Sequence, residues 1–191
     1  GGVYHLLGWS SGGGMAHAVA CRLQDLGCEV QNLVILDSYP SSTWQHAPEP
    51  TMLDAWQALL DVTGDSSYLQ QLDELSIEQI QTLLQSPCSP FAGLSLKQCS
   101  ALSHRALQQM QLYRTLQHPK FNGDALFFQA LSIPADAPMH PQVSDWQHYI
   151  DGEISTYGIQ STHASMCRPL PLAQIGEKLA QYLHTRNTHK P

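Results

Sequence analysis

Three side chains in this sequence have the types needed for nucleophilic catalysis. Ser10 lies in Gly8-Trp9-Ser10-Ser11-Gly12, which fits the G-x-S-x-G pattern of a nucleophile elbow. A serine hydroxyl becomes a useful nucleophile when it projects from a tight turn with a base beside it. The pattern predicts a strained backbone at Ser10. It also predicts a close approach of strand and helix at Gly8 and Gly12, which carry no side chain. Ser11 is the alternative nucleophile, but the frame sets Ser10 between the glycines. Asp37 follows the apolar run Leu33-Val34-Ile35-Leu36, and His163 follows Ile154–Ile159. In such a set the serine attacks a carbonyl, and the histidine takes its proton and returns it to the leaving group. The aspartate holds the imidazole tautomer and stabilises the imidazolium. The backbone N–H of Ser11, just after the nucleophile, would supply one oxyanion donor.

For these residues to meet, the elements before them must end on one edge. Val3–Leu7 is a short apolar run suited to a buried strand. Met15, Val19, Leu23 and Leu26 then recur at helical spacing, and Gly27 sits where a helix stops. Val30–Leu36 reads as a second buried, parallel strand, Asp124–Ala130 as a third and Ile154–Ile159 as a last one. The carboxyl ends of parallel strands share one edge, where open α/β sheets place their sites. Ser10, Asp37 and His163 therefore converge despite their separation, in the order serine, acid, histidine expected of an α/β-hydrolase. Rivals remain on the residues alone. Asp37 has an ordinary reading as a turn residue, and Asp136 and Asp145 after the third strand are alternative acids. His17, on the helix after the elbow, is expected to pack there. His140 and His148 precede the last strand, so His163 is preferred as base.

Between the second and third strands the texture changes. Ser41–Thr51 is a polar loop, and Met52 to Gln117 is largely helical. Leu53, Trp56, Leu59, Leu60 and Val62 mark a helix that stops near Gly64. Asp65 or Ser66 is read as capping another, with Tyr68, Leu69 and Leu72 apolar. Ser76-Ile77-Glu78-Gln79 is a capping box opening Ile77–Leu84. Ser86–Pro90 breaks it, and Leu96–Leu116 is a long helix with Leu102, Leu107, Met110, Tyr113 and Leu116 apolar. So long a helical block reads as an insertion serving as a lid. Pro171–Leu183 closes the chain as an amphipathic helix, and Thr185–Pro191 reads as a frayed tail.

Composition bounds these readings. The chain has 191 residues, 42% hydrophobic and 13% charged, which fits one globular domain and excludes a disordered chain. A net charge of −7 argues against a nucleic-acid surface. No apolar run approaches a membrane span. Gly1 leads straight into a strand, so no signal peptide is expected. The five cysteines, Cys21, Cys28, Cys88, Cys99 and Cys167, are odd in number and irregular in spacing. They read as free thiols of a reducing, cytoplasmic compartment. The ten histidines are scattered without an H-E-x-x-H, so no metal site is expected.

Leu6-Leu7-Gly8-Trp9-Ser10-Ser11-Gly12-Gly13 with Ala16-His17, Leu33-Val34-Ile35-Leu36-Asp37-Ser38-Tyr39-Pro40, and Gly158 to Met166 around His163 together resemble a known family. It is the type I thioesterase domain, of the α/β-hydrolase family, that ends nonribosomal peptide synthetases and related polyketide synthases. The resemblance implies an α/β-hydrolase fold over residues 1–191, a mostly parallel sheet flanked by helices, with a helical lid at about 52–117. It favours Asp37 over Asp136 as the acid. It implies release of an acyl or peptidyl chain from the phosphopantetheine arm of a carrier protein in the same polypeptide. An acyl-Ser10 ester would form and end in hydrolysis or macrocyclisation, with no cofactor of its own. The family has several strands before the elbow, and a loop among them gives the second oxyanion donor. Those N-terminal strands are missing here, so the chain reads as the C-terminal three-quarters of the domain. Two competing expectations are a stand-alone editing thioesterase or other serine esterase, and a non-catalytic carrier-interacting fragment.

Overall fold

Leu33-Val34-Ile35-Leu36 and Ala125-Leu126-Phe127-Phe128 are apolar without a helical period, and both lie buried in a sheet covered on its two faces. The computed structural model describes residues 2–64, 74–87, 89–133 and 141–188. Strands β1 (Val3–Trp9), β2 (Glu29–Leu36), β3 (Ala125–Ala130) and β4 (Ile154–Ile159) pair in parallel in the order β1-β2-β3-β4. Helix α1 (Ser11–Asp25) links β1 to β2, and α5 (Pro169–Thr188) follows β4. Side chains alternate across the pleat, so each strand feeds two cores. Leu33, Ile35, Ala125 and Phe127 pack with Ala20 and Cys21 of α1 and with Trp146 and Ile150. Val34, Leu36, Leu126 and Phe128 pack on the other face with Met166 and with Ile175 of α5. The register aligns Trp9 with Leu36 and Leu36 with Phe128, so β1 and β2 end level and β3 runs two residues further, to Ala130.

The helical spacing in α1 holds, but the stripe faces the other way. Met15, Val19 and Leu26 are exposed, and the helix meets the sheet through Gly13, Gly14, His17, Ala20 and Cys21. Small side chains let the helix lie close, which large ones would prevent. The expected burial of β1 also fails: Val3 and Leu7 are about half exposed, at 49% and 51%. Among the described residues β1 pairs only with β2 and lies at the edge of the sheet.

Of the two close approaches expected at the elbow, that at Gly8 holds and that at Gly12 falls on Gly13 instead. A Cβ at Gly8 would collide with the carbonyl of Gly12, and one at Gly13 with the side chain of Ser38. A Cβ at Gly12 would meet open space. Gly8→Ala is therefore expected to lower stability by about 1–3 kcal/mol, because backbone must shift. Gly12→Ala, in the first turn of α1, is expected to be neutral or slightly stabilising. Urea midpoints of the two variants check the contrast.

The chain divides into two compact units, residues 1–45 with 116–191, and residues 46–115. The second holds α2 (Met52–Thr63), α3 (Ile77–Leu84) and α4 (Leu96–Arg114). Each begins with a reciprocal cap: Thr51 with Asp54, Ser76 with Gln79, and Ser95 with Gln98. Gly64 ends α2 at φ 78°, in the left-handed region that glycine enters freely. Trp56, Leu60, Ile80, Leu84 and Cys99 form this unit's core. In α4 the buried positions are Cys99 and Ser103, while Leu102, expected inside, is exposed. The helix read around Tyr68, Leu69 and Leu72, with its Asp65 or Ser66 cap, lies outside the described residues, as do Cys88 and the 189–191 end of the tail. The tail begins later than expected, because α5 continues to Thr188. Among the described residues, no helix is long and apolar enough to cross a membrane, and Cys21, Cys28, Cys99 and Cys167 are free thiols.

Candidate active site

The turn between β1 and α1 places Ser10 at φ 55° and ψ −137°. A non-glycine residue at positive φ is strained, by roughly 1–3 kcal/mol. Two backbone bonds hold it there. Ser10 N–H donates to the Leu36 carbonyl at 3.1 Å, and the Ser10 carbonyl accepts from Gly13 N–H at 2.9 Å. Ser11 is the first residue of α1, where aligned peptide dipoles concentrate positive potential.

Asp37 stands one residue past β2, also at positive φ, 43°. Its N–H donates to the Phe128 carbonyl at 2.7 Å. Its two carboxylate oxygens have separate partners. Oδ1 accepts from Ala130 N–H at 3.0 Å and from the Tyr39 hydroxyl at 3.1 Å. Oδ2 lies 2.8 Å from Nδ1 of His163. Burial first, and then the charge of Asp37, push the Tyr39 phenol far up, so it stays a neutral donor. The imidazole continues the chain: Nε2 of His163 lies 2.9 Å from Oγ of Ser10. The Asp37 carboxylate fixes the proton on Nδ1, which leaves Nε2 to accept from the serine hydroxyl.

His163 sits on the loop after β4, and local bonds shape that loop. Thr162 N–H donates to Ser165 Oγ at 2.9 Å, and Ser165 N–H donates to Thr162 Oγ1 at 3.2 Å. The Trp9 ring stacks on the His163 ring, with centroids 5.4 Å apart and planes 26° from parallel. The Trp9 indole N–H donates to the His163 carbonyl at 3.2 Å.

The Asp37 loop is held from beneath by aromatic residues that sequence reasoning missed. Trp146 Nε1–H donates to the Ser38 carbonyl at 2.7 Å, and His118 Nε2 accepts from Ser41 N–H at 3.0 Å. Nothing in their spacing marks Trp146 and His118 as partners of that loop, since they are separated from it by the whole helical unit. His17 is buried beside them and donates from Nε2 to the Tyr149 carbonyl at 3.0 Å. Burial, then the neighbouring His17, pushes His118 down to about 4. Burial likewise lowers His17.

That pair sets a pH dependence. In the unfolded chain His118 titrates at its ordinary value of 6.5. Between pH 6.5 and about 4 the unfolded chain therefore binds a proton that the folded chain does not. Stability is expected to fall as pH drops through that window, with the loss complete near pH 4, and His17 adds with the same sign. His118→Gln keeps an acceptor for Ser41 and is expected to flatten the slope, as read from urea midpoints across that range.

The structure thus brings Ser10, Asp37 and His163 together and places those rivals that it describes elsewhere. No bond joins Ser11 to His163 among the described contacts, whereas Ser10 has one. His17 packs in the core, as expected, and His148 is exposed. Asp145 caps its own turn, accepting from Gln142 N–H at 3.3 Å, and takes the Thr43 hydroxyl at 3.3 Å. Asp136 and His140 lie outside the described residues. Cys21, beside His17, is no rival nucleophile, because burial and then the charge of Asp25 push its thiol up to about 11.

Known proteins share this arrangement of elements. The chain is 36% identical over 191 residues to a dimodular nonribosomal peptide synthase of Bacillus subtilis (strain 168), a match covering 97% of this chain and 8% of that protein. Its fold superposes on a four-domain nonribosomal peptide synthetase bound to AMP and glycine with a TM-score of 0.71 at 18% identity, covering 95% of this chain and 14% of the other. On SrfTE, the thioesterase domain studied for cyclisation of the lipopeptide antibiotic surfactin, the TM-score is 0.60 at 19% identity, with 96% and 68% covered. The fold is the α/β-hydrolase fold of thioesterase domains. The family model for the thioesterase domain matches residues 1–181, and this chain belongs to that family.

Proposed function

We propose that this chain releases an acyl or peptidyl chain from the phosphopantetheine arm of a carrier protein through an ester on Ser10. One observation carries the reading: the unbroken line of contacts from Asp37 Oδ2 through both His163 nitrogens to Ser10 Oγ. In this reading Ser10 Oγ attacks the thioester carbonyl while its proton passes to His163 Nε2. The tetrahedral oxyanion is met by the Ser11 N–H at the head of α1. Collapse breaks the C–S bond, and His163 returns the proton to the departing thiolate. Water, or an amine or hydroxyl of the chain itself, then loses a proton to His163 as it attacks the ester. This yields an acid or a ring and restores Ser10. Asp37 stabilises the imidazolium in both halves.

The reading extends to context. The relatives that support it are synthetases of which the chain spans a small part, so the carrier is assigned to the same polypeptide and the compartment to the cytoplasm. The helical unit of residues 46–115 is inserted in sequence between β2 and β3, where the thioesterase family carries its lid, and is read as that lid. The test compares turnover of carrier-bound acyl thioesters with that of simple esters, following acyl-Ser10 by intact mass. Rapid acylation from the carrier supports the reading. Preference for simple esters would make the protein a general esterase, and carrier binding without an adduct would make it an interaction fragment.

A further inference from the structure

Trp9 makes two separate contacts with one residue. Its ring lies over the His163 imidazole, centroids 5.4 Å apart and planes 26° from parallel, and its indole N–H reaches the carbonyl of the same histidine at 3.2 Å. It is also the residue directly before Ser10, at the carboxyl end of β1. The strand that delivers the nucleophile therefore also supplies a platform for the base.

We propose that Trp9 is a positioning residue for His163, its indole face steadying the imidazolium that forms each time Ser10 loses its proton. This rests on the assignment of Ser10 and His163 as nucleophile and base. The His163 side chain is 47% exposed, and its edge contacts are a carboxylate on one side and a hydroxyl on the other. Edge contacts fix where the nitrogens point but leave the ring faces unsupported. The indole supports one face, and the N–H bond fixes the backbone from which the ring hangs. A cation within about 6 Å of an indole centroid is attracted by the negative face of the ring. That attraction is weak for the neutral imidazole and strong for the imidazolium, so it favours the charged state formed during attack. A phenylalanine would keep the face and lose the N–H bond. A leucine would keep apolar bulk against the core shared with Phe128 and lose both.

The test places tryptophans of increasing fluorination at position 9 by nonsense suppression. Fluorination drains the negative face while keeping the shape and the N–H. The rate of acyl-Ser10 formation is expected to fall stepwise, by roughly two- to five-fold in all, with the melting temperature and KM unchanged. A flat series would overturn the proposal, because a residue that only fills space is indifferent to the charge of its face. Trp9→Phe and Trp9→Leu give a second reading that requires only folded protein. Phenylalanine should retain most of the acylation rate, and leucine should lose about ten-fold, with little change in KM. Equal losses in the two would count against the face. Ser10→Ala separates the failures. An adduct that persists in Ser10→Ala removes the assignment of the site itself. An adduct lost in Ser10→Ala together with a flat fluorination series removes only the role of Trp9.

Discussion

Ser10→Ala is expected to abolish labelling by a serine-directed fluorophosphonate and all acyl-enzyme formation, a loss of at least about 10⁴-fold in acylation rate. The geometry gives the reason. His163 Nε2 faces the Ser10 hydroxyl at 2.9 Å and no other nucleophile among the described contacts. Alanine leaves a base with no proton to take. Intact-mass measurement after incubation with the fluorophosphonate reads the result directly. A surviving adduct, mapped to Ser11 or another serine, would show that the elbow frame has been misassigned. The variant should fold as well as the native chain, since Ser10 is held by its own N–H and carbonyl and the substitution keeps both.

Asp37→Asn carries the second largest expected effect, a fall of roughly 10⁴-fold in kcat. The partners of the two carboxylate oxygens decide how the amide must sit. Oδ1 receives two donors, Ala130 N–H and the Tyr39 hydroxyl. The asparagine oxygen must take that place, so its NH₂ turns toward His163 Nδ1. A donor there forces Nδ1 to be the acceptor and moves the imidazole proton to Nε2. The ring then donates toward Ser10 and can no longer receive its proton. KM should change little and the melting temperature should fall only slightly, because shape is kept. A fall of less than ten-fold would mean that Asp37 serves mainly to hold its loop.

Much of this site was legible because its parts are local. An elbow is written in five residues, and an apolar run ending in an acid marks the exit of a buried strand. The order of Ser10, Asp37 and His163 and the parallel sheet between them followed from periodicity and from the shared edge of parallel strands. What was not legible depends on which neighbour an element meets. The spacing of Met15, Val19 and Leu26 identifies a helix but not the face it turns to the sheet, and α1 uses Gly13, Gly14, Ala20 and Cys21 together with His17 instead. Val3 and Leu7 have the composition of an inner strand, and among the described residues β1 has a partner strand on one side only. Gly13, outside the five-residue pattern, proves to be the tight contact because Ser38 lies against it, a neighbour 25 residues later in the chain. Trp146 and His118 support the acid loop from beyond the helical insertion, through single hydrogen bonds that no periodicity records.

Ser10 and Asp37 are the two non-glycine residues at positive φ among the described residues. Neither residue type is what stability alone would select there. Ser10→Gly removes a side chain from a conformation that glycine adopts freely, and is expected to raise the melting temperature by the equivalent of about 1 kcal/mol, after the lost bond to His163 is offset. At Asp37 the same exchange surrenders the bonds from Ala130 and Tyr39 and should bring no gain. A screen for thermal tolerance that ignores turnover would therefore drift to glycine at position 10 and leave position 37 alone. Position 10 is where folding and chemistry pull in opposite directions, and a serine there gives up durability for turnover.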